Sequence, residues 1–310
     1  LLSPGSRLLV AVSGGQDSLC LIKLLLDLQP KWHWQMAIAH CDHRWPSDIG
    51  ISAHVQQLAQ GWDMPFFLKV APQIDKREAA AREWRYQALS EIAQEQGFSI
   101  VVTGHTQSDR AETLLYNLMR GAGADGLQAL TWKRPLTPEI ELVRPLLEIS
   151  RSETLQFCQQ FHLLIWEDAV NQNLKYARNR IRTDLLPYLK THFNPQVETA
   201  LAQTAELLQA EVEYLEATAH RYLQQALTPD QHRLNRTSLR ELPLALQRRV
   251  MRQFLQSLSQ RMPTFEQIEA LTHLISAPNR TCTPSLPGGA IAIVQEDWIV
   301  FQSPERQRGV

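Results

Sequence analysis

The chain has 310 residues, long enough for one large domain or two smaller ones, with 44% hydrophobic and 20% charged residues, the composition of an ordinary globular protein. A formal net charge of −1 excludes any global electrostatic signature for nucleic acid, so such a partner would need a local basic patch. No apolar run approaches the ~20 residues of a membrane span, no charged-then-apolar leader opens the chain, and Cys20, Cys41, Cys158 and Cys282 form no Cys-x-x-Cys pair; a cytoplasmic, reduced compartment without membrane is expected.

Residues 7–12 (RLLVAV) are a continuous apolar run and read as a buried parallel strand, followed by a Ser/Gly loop and a helix over 19–28. Residues 35–40 read as a second strand, 48–62 as a helix opened by an N-capping Ser47 or Asp48, and 65–71 as a third strand. Residues 76–96 are rich in helix formers and end at Gly97. Residues 99–104 read as a fourth strand and 109–120 as another helix. This alternation predicts an α/β fold, a doubly wound, mainly parallel sheet, with ligands beyond the carboxyl ends of the strands. The polar clusters 13–18, 40–44 and 104–112 fall at those ends. Helices are expected over 150–162, from 195 to 227, over 238–257 and over 264–275, then a hairpin from 290–294 and 297–301. The expected domains are 1–194, the catalytic unit, and 195–310, mostly helical with a small terminal hairpin.

A strand, paired glycines and a helix form a general device for holding phosphate, because backbone N–H groups at the helix start point at the anion. Ser13-Gly14-Gly15-Gln16-Asp17-Ser18 has this layout, with two hydroxyl donors and, in Asp17, a carboxylate able to hold magnesium. It lacks the Lys-Ser/Thr ending of a Walker A loop and is not Gly-x-Gly-x-x-Gly. A polar turn with no ligand would satisfy the same residues.

Ser-Gly-Gly-x-Asp-Ser after an N-terminal strand resembles the PP-loop ATP pyrophosphatases. Further residues resemble one branch of them, the tRNA(Ile)-lysidine synthetase family: His40-x-Asp42-His43, the run from Glu78 to Tyr86, Thr103-Gly104-His105, Asp109-x-Ala111-Glu112-Thr113, Arg120-Gly121-x-Gly123-x-x-Gly126-Leu127, Arg144-Pro145-Leu146, and Trp166-Glu167-Asp168 with Asn179-Arg180-Ile181-Arg182. The resemblance implies a PP-loop domain with a helical tRNA-positioning region. It also implies a ligase that adenylates the wobble cytidine of an isoleucine tRNA with a CAU anticodon and then joins free L-lysine to it. The product, lysidine, changes codon and aminoacylation specificity from methionine to isoleucine. ATP and Mg2+ are implied, and a homodimer is left open.

By the same resemblance Ser13 to Ser18, His40 and Gly104 are expected on ATP, and Asp17 and Asp109 on magnesium. Asp17, His105, Asp109 and Glu112 are expected to be catalytic; His105, Asp109 and Glu112 are each able to deprotonate the lysine amine, with no choice among them. Arg82, Glu83, Arg85, Arg120, Arg178, Arg180 and Arg182 are expected on substrate or tRNA. The bland readings stand beside these: strand-end histidines, and a solvated ion-paired helix face for Arg82 and Arg85. A second basic group, Arg248, Arg249 and Arg252, reads as solvated surface. The chain departs from the family pattern at Ser108, where an acid is usual, at Arg110 and at Pro46. Three rival readings are a PP-loop tRNA thiolase, a PP-loop amide-forming enzyme of the asparagine or GMP synthetase type, and a noncatalytic tRNA-binding homologue.

Overall fold

The structure, a computed structural model, describes residues 1–73, 77–166, 174–229, 232–258, 262–284, 286 and 289–302. The opening apolar run is covered on both sides. Leu8 and Val10 enter one buried cluster with Leu19, Leu21 and Ile22, and Leu9 enters another with Ala37, Leu89 and Ile92. A strand buried on both faces is what a parallel sheet between helical layers requires.

In chain order the first unit contains β1 (Arg7–Ala11), α1 (Gln16–Trp32), β2 (Gln35–Asp42), α2 (Ile51–Gly61), β3 (Phe66–Val70), α3 (Glu78–Gln96), β4 (Ile100–Thr103) and α4 (Gln107–Met119). There follow α5 (Ala124–Leu127), β5 (Lys133–Thr137), β6 (Ile140–Val143), α6 (Arg151–Gln160), α7 (Ala177–Arg180), a π-turn at Ile181–Leu185, and α8 (Leu186–His192). The sheet order is β3-β2-β1-β4-β6-β5, parallel except for β5. Because β1 lies between β2 and β4, the loops leaving β1 and β4 diverge and open a crevice at the carboxyl edge. The three polar clusters meet along that edge.

Sequence reasoning passed over the β5–β6 hairpin. Pro135 breaks its pattern, and proline is tolerated there because β5 is an edge strand. The second helix starts later than expected: its N-cap is Gly50, at φ 92°, and Pro46–Asp48 forms a separate 3-10 turn in which Asp48 accepts from the Trp45 N–H. A Cβ at position 50 would lie 2.9 Å from the Trp166 ring, so close packing as well as φ requires glycine.

The two compact units divide between Gln209 and Ala210, inside α9 (Val197–Ala226). The start of α9 belongs with the sheet unit because Glu198 accepts from Ser108 and Glu206 pairs with buried Arg110. The second unit holds β7 (Arg233–Asn235), α10 (Arg236–Arg240), α11 (Leu244–Leu258), α12 (Phe265–Leu274), β8 (Ile291–Gln295) and β9 (Trp298–Gln302). The expected helix 238–257 is broken at Pro243, and the expected hairpin forms but gains β7 as a third strand. Val250, Met251, Phe254, Leu271 and Ile299 lie in its core. No helix among the described residues is long and apolar enough to cross a membrane.

Candidate active site

The loop after β1 is organised by its own hydroxyls. Ser18 Oγ accepts from the Ser13 N–H (3.1 Å) and donates to the Gly15 carbonyl (2.9 Å), while Gly14 takes φ 89°. No side chain caps α1, whose N-cap is Gly15, so its first N–H groups face the crevice without a competing side-chain acceptor. The Trp166 N–H donates to the Gly14 carbonyl (3.0 Å). Gly104, at the end of β4, passes so close that a Cβ there would lie 2.8 Å from the Asp17 carbonyl oxygen. Strand and loop therefore meet backbone to backbone.

Asp17 turns away from the sheet toward α6. Its Oδ1 accepts from Thr154 Oγ1 (2.5 Å) and its Oδ2 from Arg151 Nε (3.1 Å). Arg151 also donates through Nη2 to Asp109 Oδ1 (3.3 Å), and its Nη1 lies 3.7 Å from Glu112 Oε1. Arg182, from the π-turn, grips Glu112 through Nε (2.7 Å) and Nη2 (2.8 Å) and approaches Asp109 at 3.5 Å. Three carboxylates from α1 and α4 thus converge on two guanidinium groups. Burial pushes the Asp109 carboxyl up, but Arg151, His105, the Thr106 N–H and Arg182 outweigh it and hold the group at about 2. At Glu112 burial prevails over Arg182, and the carboxyl is raised above its ordinary value.

His105 makes a 2.9 Å contact from Nδ1 to Thr103 Oγ1, and burial holds its pKa well below the ordinary imidazole range. Asp109 opposes that shift, while Arg144, Arg85 and Arg82 add to it. His40 is buried, with Nδ1 2.8 Å from the Val12 carbonyl, which fixes the ring at the base of the loop; burial lowers its pKa. Arg82 and Arg85 lie over the Tyr86 ring, with guanidinium carbons 5.3 and 5.4 Å from its centroid, so they are not the solvated ion-paired face that helical charges usually make. Glu83 is exposed on α3. Arg120 and Arg178 both lie over Tyr116, at 5.3 and 5.9 Å. Arg180 is spent on the carbonyls of Leu174 and Lys175 and does not join the cluster. Glu167 and Asp168 of the sequence motif lie outside the described residues.

The PP-loop domain family matches residues 3–189, and the TilS substrate binding domain matches residues 234–297. The chain is 62% identical to a tRNA(Ile)-lysidine synthase of Nostoc sp., over 99% of this chain and 94% of the relative, and 58% identical to that of Synechocystis sp., over 96% and 92%. The chain belongs to the tRNA(Ile)-lysidine synthase family. A chloroplastic tRNA(Ile)-lysidine synthase of Zygnema circumcarinatum is 37% identical over 87% of this chain and 75% of its own length. Among solved structures, the U34-tRNA thiolase NcsA of Methanococcus maripaludis is similar with a TM-score of 0.56 at 16% identity, covering 67% of this chain and 73% of its own; that likeness concerns the fold.

Within this lysidine synthase fold the departures at Ser108 and Arg110 have a local explanation. Ser108 Oγ donates to Glu198 (2.7 Å), and Arg110 binds Glu206 and Gln209 Oε1 (3.1 Å), so both flanks of Asp109 are committed to α9. Arg248 forms a bidentate pair with Glu269 (2.6 and 2.9 Å), and Arg249 and Arg252 pair with Glu216, so the second basic group is ion-paired rather than merely solvated. Sequence reasoning missed Arg151 altogether. Its signal was weak but present: the capping box Ser150-x-x-Glu153 marks a helix start, and an arginine in a first turn opposes the macrodipole unless acids face it.

Proposed function

We propose that this chain adenylates the wobble cytidine of isoleucine tRNA bearing a CAU anticodon and ligates free lysine to it, with release of pyrophosphate and then AMP. The observation that carries this reading is the Arg151 bridge, which joins Asp17 of the phosphate loop to Asp109 and Glu112 of α4. Phosphate chemistry and amine chemistry thereby share one cluster. The α1 N–H groups, Ser13 and Ser18 face the phosphates, where negative charge builds as the α–β bond breaks. His40 braces that loop through Val12, and Gly104 lets β4 approach it.

Asp17 and Asp109 would supply the hard oxygens that Mg2+ takes when the remaining ligands are waters and substrate phosphates; both are ion-paired to Arg151, which would have to yield them to the ion. Bound there, magnesium would neutralise charge on the phosphates. Asp109, held at about 2, is a poor base, and His105 is poorer than an ordinary imidazole. Glu112, whose carboxyl is raised by burial, is assigned the proton of the lysine amine. Arg82, Arg85, Arg120 and Arg178 are assigned to RNA or substrate, and Arg182, also expected there, is engaged by Glu112 and Asp109.

A thiolase reading is not favoured: burial pushes the Cys20 and Cys41 thiols up to about 12 and Cys158 to about 11, which leaves them poor nucleophiles at neutral pH. The test is incubation with ATP, magnesium, labelled lysine and unmodified isoleucine tRNA. ATP-dependent label in the tRNA supports the reading. Pyrophosphate release without label points to another nucleophile, and neither signal from folded protein would leave the noncatalytic homologue.

A further inference from the structure

Four arginines meet on one buried phenol without a carboxylate among them. Tyr86 is 9% exposed, and besides Arg82 and Arg85 its ring carries Arg134 of β5, whose guanidinium carbon is 4.6 Å from the centroid. Arg144, which follows β6, is 1% exposed and lies against the phenol, and its Nη1 donates to the Thr131 carbonyl (2.5 Å). No group among the described residues reaches the Tyr86 hydroxyl in well-aligned hydrogen-bond geometry, and Arg144 Nε has no acceptor. None of these four arginines forms an ion pair among the described residues, although the neighbouring Arg110, Arg151 and Arg182 all do. Burial and the other arginines lower the Arg82 pKa to about 10, and the arginines bring the Tyr86 hydroxyl, despite its burial, down to about 7.

Buried positive charge without a counter-ion is costly, and buried polar atoms without partners are rare. A site of this kind is completed by an anion. Three of them, Arg144, Arg85 and Arg82, are near enough to His105 to lower its pKa, so the cluster adjoins that histidine. The loop that receives ATP is separately furnished with helix N–H groups and hydroxyls.

We propose that Arg82, Arg85, Arg134 and Arg144 form an anion pocket beside His105 that takes a phosphodiester of the RNA substrate, with Tyr86 as the positioning residue that gathers them. The inference rests on the lysidine synthase reading for its substrate. Tyr86 fans the guanidinium groups across its ring and its hydroxyl stands in for the phosphate until RNA arrives. Arginine suits this role because its planar fork presents paired donors to phosphate oxygens.

The experiment uses the full chain and compares Arg134→Gln, at a half-exposed strand position, with Tyr86→Phe, which removes only the oxygen. Binding of unmodified isoleucine tRNA is measured across a salt series, and ATP and pyrophosphate affinities are measured separately. Arg134→Gln is expected to weaken tRNA binding about tenfold, and to reduce the slope of log affinity against log salt by about 0.7, the value for one single-strand phosphate contact. Tyr86→Phe should raise the KM for tRNA while kcat and the KM for ATP stay within twofold; a purely structural tyrosine would lower stability and leave that KM alone. Unchanged tRNA affinity and slope in both variants overturns the pocket. Lost ATP or pyrophosphate affinity with intact tRNA binding also overturns it, since the anion would then belong to the nucleotide. Failure of the unaltered protein to bind tRNA overturns the functional reading and the pocket together, whereas binding that the variants leave untouched overturns the pocket alone.

Discussion

Replacing Arg151 by methionine keeps most of the side-chain volume and removes the charge that three carboxylates share. Asp109 is the most sensitive reporter, because Arg151 is the largest of the influences that lower its pKa from the ordinary 3.8 to about 2. With its carboxylate 17% exposed, solvent screening is modest, and the drop corresponds to about 2 kcal/mol of stability. The carboxyl pKa is depressed on folding, so this stabilisation is present above about pH 4 and is lost as pH falls through 2. Loss of Arg151 should remove about half of it, on the order of 1 kcal/mol, and leave Asp17, Asp109 and Glu112 repelling one another at neutral pH. Urea melts of both proteins at pH 6 and at pH 3 measure the effect: Arg151→Met should be destabilised by about 1–3 kcal/mol at pH 6 and by less at pH 3. Equal midpoints at pH 6, or a gap that widens on acidification, would refute the shared-charge account.

Asp17→Asn preserves shape and the Thr154 contact but removes the charge that faces Arg151 and would face a bound Mg2+; tRNA-dependent pyrophosphate release should fall about a hundredfold or more while the melting temperature shifts little. Gly104→Ala should cost about 1–3 kcal/mol, as overpacking does, and depress ATP affinity, because the added carbon meets backbone rather than a yielding side chain; wild-type stability and affinity would contradict the close-approach argument. Glu112→Gln should still release pyrophosphate yet transfer lysine slowly. In the unaltered protein the transfer rate should rise with pH through a value above 4.5, and that limb should vanish in the variant.

Most of the first unit was legible along the chain because its signals are local. An apolar run buried on both faces, paired glycines before a helix, and Gly97 closing α3 at φ 68° each depend on a few neighbouring residues. The same holds for the helix expected over 264–275 and for the terminal hairpin. The PP-loop and the lysidine synthase motifs were readable because each is a short run that resembles the family's pattern, although the loop residues alone would equally satisfy a polar turn.

The partnerships among distant residues were settled only by tertiary structure. Arg151 and Asp17 are far apart in sequence, and nothing near either one announces the other. The start of α9 packs with the sheet unit because Glu198 and Glu206 reach back to Ser108 and Arg110, a pairing that no periodicity of a long amphipathic helix encodes. Arg82 and Arg85 were expected on substrate or tRNA with a solvated helix face as the alternative, and only the fold brings Arg134 and Arg144 against the same tyrosine. Local sequence determines which residues can form a helix, a strand or a phosphate loop, since those choices depend on backbone torsions and immediate neighbours. Which charges are buried together, and whether they neutralise one another or await a ligand, depends on through-space distance and desolvation, which exist only once the chain has folded.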